Sequence, residues 1–271
     1  MADARFDEYE RAGWTERATA YDDAVSPLSS RAIGPLLEAV GPLQGAALLD
    51  LACGPGHLAA AAAARGARTE GLDFAPTMIE RARARYPSLR WTVGDAHRLP
   101  YEDAAFDAVA CAFGVLHMTD PDAALAQVRR VLRPGGRVAF TVWCAPQQGG
   151  ELFGLVLSAI QRHGRLDVPL PPAPPIFRFA DAQECERTLG AVGFADIACT
   201  TLPIDWIGEH GTTLVDDLYR STVRTAMLLE AQTPEARAAI HRDIAQGAER
   251  TRGAHGLRLA MPAWRVTAVV A

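Results

Sequence analysis

The spacing of apolar positions changes along the chain, from every third or fourth residue to short unbroken runs and back. Those changes predict its elements. Residues 1–43 carry helical stripes: Trp14, Ala18 and Tyr21 share one face, Leu36, Leu37 and Val40 another, with Pro27 and Pro35 as punctuation. A short apolar run from Ala46 to Leu51 then predicts a buried strand. The turn Cys53-Gly54-Pro55-Gly56 follows, and Leu58 to Arg65 is an alanine-rich helix former. Ala67 to Leu72 predicts a second strand, and Pro76 opens a helix whose apolar side holds Met78, Ile79 and Ala82. Trp91 to Val93 and Phe106 to Ala112 predict strands three and four. Asp120 and Pro121 suit the N-cap and first position of a helix with Leu125, Val128, Val131 and Leu132 on its buried side. Arg133-Pro134-Gly135-Gly136 reads as its stop and turn, before a fifth strand from Arg137 to Trp143. Four strand–helix alternations predict an α/β fold: a doubly wound, Rossmann-like parallel sheet with helices on both faces.

After Trp143 the pattern loosens. Leu152 to Ile160 predicts a helix, and the proline-rich stretch 166–179 a loop or lid hinge. Asp181 to Val192 reads as a helix stopped by Gly193, and Ala195 to Leu202 as a strand. Thr212 to Gln232 and Pro234 to Arg250 read as two helices inserted before a last strand, Trp264 to Val270. The expected organisation is a helical N-terminal arm, 1–43, and one α/β domain, 44–271. Insertions at about 145–180 and 203–262 are where a helical lid and a substrate pocket would arise.

The chemistry concentrates at the carboxyl ends of the first strands, where open α/β sheets bind ligands. Gly54 and Gly56 let a ligand approach the backbone, and the free N–H groups of the following helix face it. Taken alone, Gly54, Gly56 and Ala59 also fit a dinucleotide-binding turn. Asp50 argues otherwise, because a pyrophosphate beside it would meet like charge. A ligand bearing an ammonium or sulfonium group would be attracted, and S-adenosylmethionine carries both and no phosphate. The alternative is that Asp50 only caps the turn. Asp73, 17 residues after Gly56, stands where an acidic residue accepts from ribose hydroxyls, or else caps the next helix. Asp95 either accepts from an adenine amino group or makes an Asx-turn. Tyr21 in the arm is a ligand contact or a packing residue.

The net charge of −5 over 271 residues offers no general attraction to nucleic acid. No apolar run approaches the ~18 residues of a membrane span, and the charged N-terminus does not read as a secretory signal. Five scattered cysteines without a C-x-x-C suggest a reduced, cytoplasmic protein, and no cluster has metal-ligand spacing. Should the reaction need a general base, His117 after the fourth strand is the first candidate and His210 in the second insertion the next. Trp143, Phe177, Phe179, Trp206, Tyr219 and Met227 are candidates to wall an apolar substrate pocket.

Together, L-L-D-L-A-C-G-P-G-H, G-L-D-F-A-P-T-M-I, G-D-A-H-R-L-P-Y, F-D-A-V-A-C-A-F-G-V-L-H and V-L-R-P-G-G-R-V resemble the class I S-adenosylmethionine-dependent methyltransferases. The likeness is greatest to the type 11, ubiquinone/menaquinone-biosynthesis branch, and it spans residues 46–143. It implies a seven-stranded sheet in order 3-2-1-4-5-7-6, with the last strand antiparallel. It also implies that Asp50, Ala52, Gly54 and Gly56 shape the methionine end of the cofactor site. Asp73 would take the ribose, Phe74 and Met78 would flank the adenine, and Asp95 and Ala96 would meet its polar atoms. Ala112 and Phe113 would line the methionyl side. Cys53 departs from the small residue many relatives carry there. The implied activity is methyl transfer to the O, N or C of a small molecule. A nucleic-acid methyltransferase and a non-catalytic S-adenosylmethionine-binding protein are the alternatives.

Overall fold

The computed structural model describes residues 2–24 and 26–271, with side chains described from Phe6 except at 19, 23, 24 and 25. Among the described residues the arm holds the helices α1 (Ala2–Ala24), α2 (Ser26–Ser29) and α3 (Ile33–Ala39). Two strand–helix units follow, β1 (Ala47–Leu51) with α4 (His57–Ala63) and β2 (Arg68–Asp73) with α5 (Pro76–Arg85). β3 (Arg90–Val93) and β4 (Phe106–Ala112) lead to α6 (Pro121–Val131) and β5 (Leu132–Trp143). Pro121 occupies the first turn of α6 and Asp120 accepts the N–H of Ala123 at 2.9 Å, so the cap read from the sequence forms.

The second half comprises α7 (Glu151–His163), α8 (Ala182–Ala191), β6 (Phe194–Leu202), β7 (Asp205–Gly208), α9 (Gly211–Ser221), α10 (Arg224–Glu230) and α11 (Pro234–Glu249). The strands β8 (Arg252–Gly253), β9 (Gly256–Ala260) and β10 (Ala263–Val270) complete it. Among the described residues, seven strands form one sheet in order β3-β2-β1-β4-β5-β10-β6. β1 pairs in parallel with β2 and β4, whereas β10 runs antiparallel to both β5 and β6. β10 is the seventh strand of that sheet, so the expected order and the reversed strand are both present. Each sheet face packs a separate apolar layer. Leu36, Leu48, Leu58 and Ile160 lie in one, and Leu49, Val128, Phe140 and Leu189 in the other.

Three features differ from the expectations. The helix expected over Thr212 to Gln232 breaks between α9 and α10, where Thr222 is extended at φ −125°, ψ 142°. The break presses Val223 against Gly13 of α1, where a Cβ on the glycine would stand 2.7 Å from Val223 Cγ1. The turn expected at 133–136 is absorbed into β5, which starts opposite Phe106 and shifts register before Arg137; Gly135 there has φ +75°. A small antiparallel sheet, β7-β9-β8, was not anticipated. Its strands alternate in burial (Trp206, Leu257 and Leu259 in, Ile207 and Arg258 out) but are too short for the period to declare itself.

Candidate functional site

The glycine turn is held by two buried carboxylates from neighbouring strands. Asp50 Oδ2 accepts the N–H of Ala59 in α4 at 2.9 Å. Asp73 Oδ2 accepts the N–H of Gly54 at 2.9 Å, and its Oδ1 accepts that of Ala75 at 2.9 Å. Gly56 caps α4 at φ +88°, and a Cβ on it would overlap the Trp91 ring, so both the backbone and the packing require glycine there. Burial pushes Asp50 up to about 8 and Asp73 up to about 6, against the amides that hydrogen-bond them. The same burial, with these carboxylates nearby, raises the Cys53 thiol well above its usual range and keeps it protonated. A positive ligand group entering the cleft would favour the charged form of both aspartates.

Ala52 and Phe113 both adopt positive φ, 55° and 58°, at the ends of β1 and β4. The Phe113 N–H donates to Thr141 Oγ1 at 3.1 Å, and its ring stacks on Trp143 with centroids 3.9 Å apart. Asp50, Ala52, Gly54, Asp73, Phe74, Met78, Asp95, Ala96, Ala112 and Phe113 line one cleft. Gly56 does not; it shapes the turn from behind, against Trp91. Asp95 is occupied as an Asx-turn acceptor, taking the His97 N–H at 2.9 Å and His97 Nδ1 at 2.6 Å. The Asp120 N–H donates to His97 Nε2 at 3.1 Å, so the His97 proton is on Nδ1.

The arm closes the cleft. Trp14 and Tyr21 line it, meeting edge to face at 5.4 Å, and Tyr21 Oη lies 3.3 Å from Ser29 Oγ. Burial raises the Tyr21 phenol, so it stays protonated. Asp22, one residue on, is buried among three cationic or potentially cationic partners. It accepts from His57 Nε2 at 2.9 Å, Arg81 at 3.0 Å and Arg85 at 2.6 Å, which ties α1 to α4 and α5. His57 thus serves the arm and also lines the cleft.

Beyond β4 the cleft is walled by the apolar residues Leu28, Trp143, Leu152, Phe153, Trp206 and Leu218. His117 lines it and sets Nδ1 3.0 Å from Glu10 Oε2. Asp217 also lines it and accepts from Trp206 Nε1 at 3.0 Å, and burial raises its carboxyl. Of the six residues suggested for a substrate wall, Trp143 and Trp206 are in this cleft. Phe177 and Met227 line a separate apolar cavity, and Phe179 is buried against Phe140 in the far core. Tyr219 turns its hydroxyl to His241 Nε2 at 2.8 Å. His210 is exposed where α9 begins and lies outside the cleft, which removes the second candidate base. Glu10, Trp14 and Asp217 were missed. Only Trp14, placed on the Tyr21 stripe, left any trace in the sequence pattern. Among the described residues no group of three or more His, Cys, Asp or Glu stands together to hold a metal ion. No helix among them is long and apolar enough to cross a membrane.

The family profile described as "Methyltransferase domain" matches residues 49–140. A demethylmenaquinone methyltransferase of Deinococcus radiodurans is 43% identical over 122 residues, covering 43% of this chain and 50% of that protein. The chain thus spans about half the length of that relative. A demethylmenaquinone methyltransferase of Clavibacter sepedonicus is 39% identical over 189 residues, covering 64% of this chain and 75% of its own. Among solved structures, the YcgJ protein of Bacillus subtilis superposes with a TM-score of 0.60 at 17% identity, over 89% of this chain and 98% of that one. That last likeness is one of fold.

Proposed function

This chain belongs to the class I S-adenosylmethionine-dependent methyltransferases of the ubiquinone/menaquinone-biosynthesis type, and from that premise we propose that it methylates a small, largely apolar acceptor. The observation that carries the reading is the pair Asp50 and Asp73, two buried carboxylates on one glycine turn facing one cleft. Such a pair of acceptors suits a cofactor with a cationic amino-acid end and free ribose hydroxyls, and repels a pyrophosphate. Both carboxylates already accept backbone N–H groups but keep further lone pairs for a ligand. In this reading Asp50, Ala52 and Gly54 hold the methionine end, with Ala112 and Phe113 beside it, and Asp73 takes the ribose. Phe74 and Met78 flank the adenine, Asp95 and Ala96 meet its edge, and Tyr21 covers it.

S-adenosylmethionine supplies, when bound, a methyl group already activated on a sulfonium. The chain's own task is to orient the acceptor, exclude water and manage a proton. Trp143, Phe153, Trp206 and Leu218 supply apolar walls that position the acceptor and keep the cleft dry. Orientation alone is worth up to roughly 7–11 kcal/mol in favourable cases. His117 lines the cleft and takes the proton when the acceptor arrives protonated, a contribution of about 10²–10⁴-fold. Residues 1–43 act as the covering arm, and the insertions at about 145–180 and 203–262 select the acceptor. In this reading the enzyme acts in the cytoplasm and, given its net charge of −5, on a small molecule rather than nucleic acid.

Calorimetric titration with S-adenosylhomocysteine, with NAD as control, tests the cofactor. Binding of the first alone is expected; no binding, or binding of NAD, would sink the reading. Transfer of labelled methyl from S-adenosylmethionine to a panel of phenols, amines and quinones then identifies the acceptor.

A further inference from the structure

Glu10 is a carboxylate in an expensive place. It sits in the middle of α1 with no exposed surface. One oxygen, Oε2, does all its hydrogen bonding: Trp14 Nε1–H donates at 2.8 Å, and His117 Nδ1 lies at 3.0 Å. Its other oxygen, Oε1, is buried with no hydrogen-bond partner in the described structure. A buried acceptor left unpaired costs roughly 1–3 kcal/mol. A clamp between arm and core would be served better by an apolar side chain, or by a fully paired ion like Asp22. The neighbouring cation, Arg224, donates instead to the carbonyls of Leu116 and Pro174, at 3.0 and 2.7 Å, and feels Glu10 only as a charge.

The contact has a consequence for the ring it touches. A carboxylate can only accept, so His117 must carry its proton on Nδ1, and a neutral ring then keeps its lone pair on Nε2. Nε2 makes no hydrogen bond among the described residues, and the ring lines the cleft. Trp14 meets the imidazole edge to face at 4.9 Å, which fixes the ring plane.

We propose that Glu10 is a positioning residue for His117, holding it in the Nδ1–H tautomer with Nε2 presented to the acceptor, so that the N-terminal arm completes the acceptor site. The inference rests on the methyl-transfer reading for its purpose. As the acceptor is methylated its X–H bond breaks, that electron pair becomes the X–methyl bond, and the carbon–sulfur pair returns to sulfur. The proton forms a bond to Nε2. The imidazolium so created lies against the Glu10 carboxylate, which offsets its charge. The helix that covers the cofactor therefore also readies the base, and an open arm leaves His117 free to adopt the wrong tautomer.

The test needs no acceptor. Long-range proton–nitrogen correlation spectra of the ¹⁵N-labelled full chain report each histidine's tautomer at about pH 9.5, where imidazole is neutral. His117→Gln assigns the signal. The expected wild-type pattern is Nδ1 protonated and Nε2 bare. Glu10→Met should return His117 to the Nε2–H form that an unrestrained histidine favours. Trp14→Phe, which disturbs the same helix but leaves Glu10, should keep Nδ1–H. An Nε2–H ring for His117 in the wild type overturns the proposal whether or not Glu10→Met folds. So does an unchanged tautomer in Glu10→Met, or a reversal in Trp14→Phe. Titration of the wild type with S-adenosylhomocysteine separates the two readings: its failure removes the methyl-transfer reading, while the tautomer decides Glu10 independently.

Discussion

Asp50 and Asp73 stand where water cannot solvate two negative charges, and burial raises both carboxyls. Their folded pKa values, about 8 and about 6, lie above the ordinary carboxylate value near 4. The native state therefore keeps protons that the unfolded chain has released, and stability falls as pH rises through that interval. Removing the Asp50 charge should relieve most of this. Thermal unfolding of Asp50→Asn and wild type should nearly coincide around pH 4, with the variant gaining steadily up to about pH 8. A constant offset across the range would mean that Asp50 is ionised at no cost, and the desolvation argument fails. The same substitution should weaken S-adenosylhomocysteine binding, because the carboxylate whose burial is unfavourable is the one proposed to receive the amino group. Stability given up at a site that gains it back on binding is a common pattern in ligand clefts.

At the scale of elements, Asp22 fastens the arm to α4 and α5. Burial alone would raise Asp22, but hydrogen bonds from His57 and Arg81 and the charge of Arg85 hold its carboxyl below the usual range. A depressed carboxylate contributes stability above its unfolded pKa and loses it as pH falls through the folded value. Asp22→Asn should cost about 1–3 kcal/mol at neutral pH, measured by urea unfolding, the half-exposed Arg85 limiting the loss. The difference should shrink below about pH 4, and persistence there would assign the loss to packing rather than charge. None of this was legible in the sequence. The strands around the glycine turn were, because β1 and β4 are buried apolar runs and β2 ends on Asp73, and Asp120-Pro121 announced α6. Long-range partners leave no local mark. Glu10 reads as one more acid on a charged helix until His117, 107 positions later, is brought against it. The α9–α10 break is set by the approach of Gly13, far away in α1. The β7–β9 pairing depends on strands of four and five residues, too short to outweigh the helical pattern around them. Phe177, Phe179 and Tyr219 failed as cleft residues for a related reason: hydrophobicity fixes that they are inside, not which interior space they face.

At the scale of the molecule, α1 is the bridge between the two halves of the cleft. Thr77 Oγ1 donates to the Thr15 carbonyl at 3.2 Å on the α5 side, and Arg17 Nε donates to the Tyr219 carbonyl at 3.0 Å on the α9 side. A ligand whose binding needs the arm closed must therefore slow every local opening that lifts α1. At a concentration about 100 times Kd, linkage supplies about 2.7 kcal/mol, or roughly a hundredfold in the opening equilibrium. Hydrogen exchange with and without S-adenosylhomocysteine should then show α1 amides slowed by up to that factor, together with those of the glycine turn. The β8–β9 hairpin tip at Ala254 and His255 is exposed and does not line the cleft, so its local fluctuations should not respond. Slowing at the turn with α1 unchanged would make the arm a bystander to cofactor binding. It would also break the proposed link between the arm as cover of the cofactor and the arm as support of His117. Slowing of both by one factor would mean that α1 and the turn open as a single unit, and that a protein with no cofactor has no assembled acceptor site either.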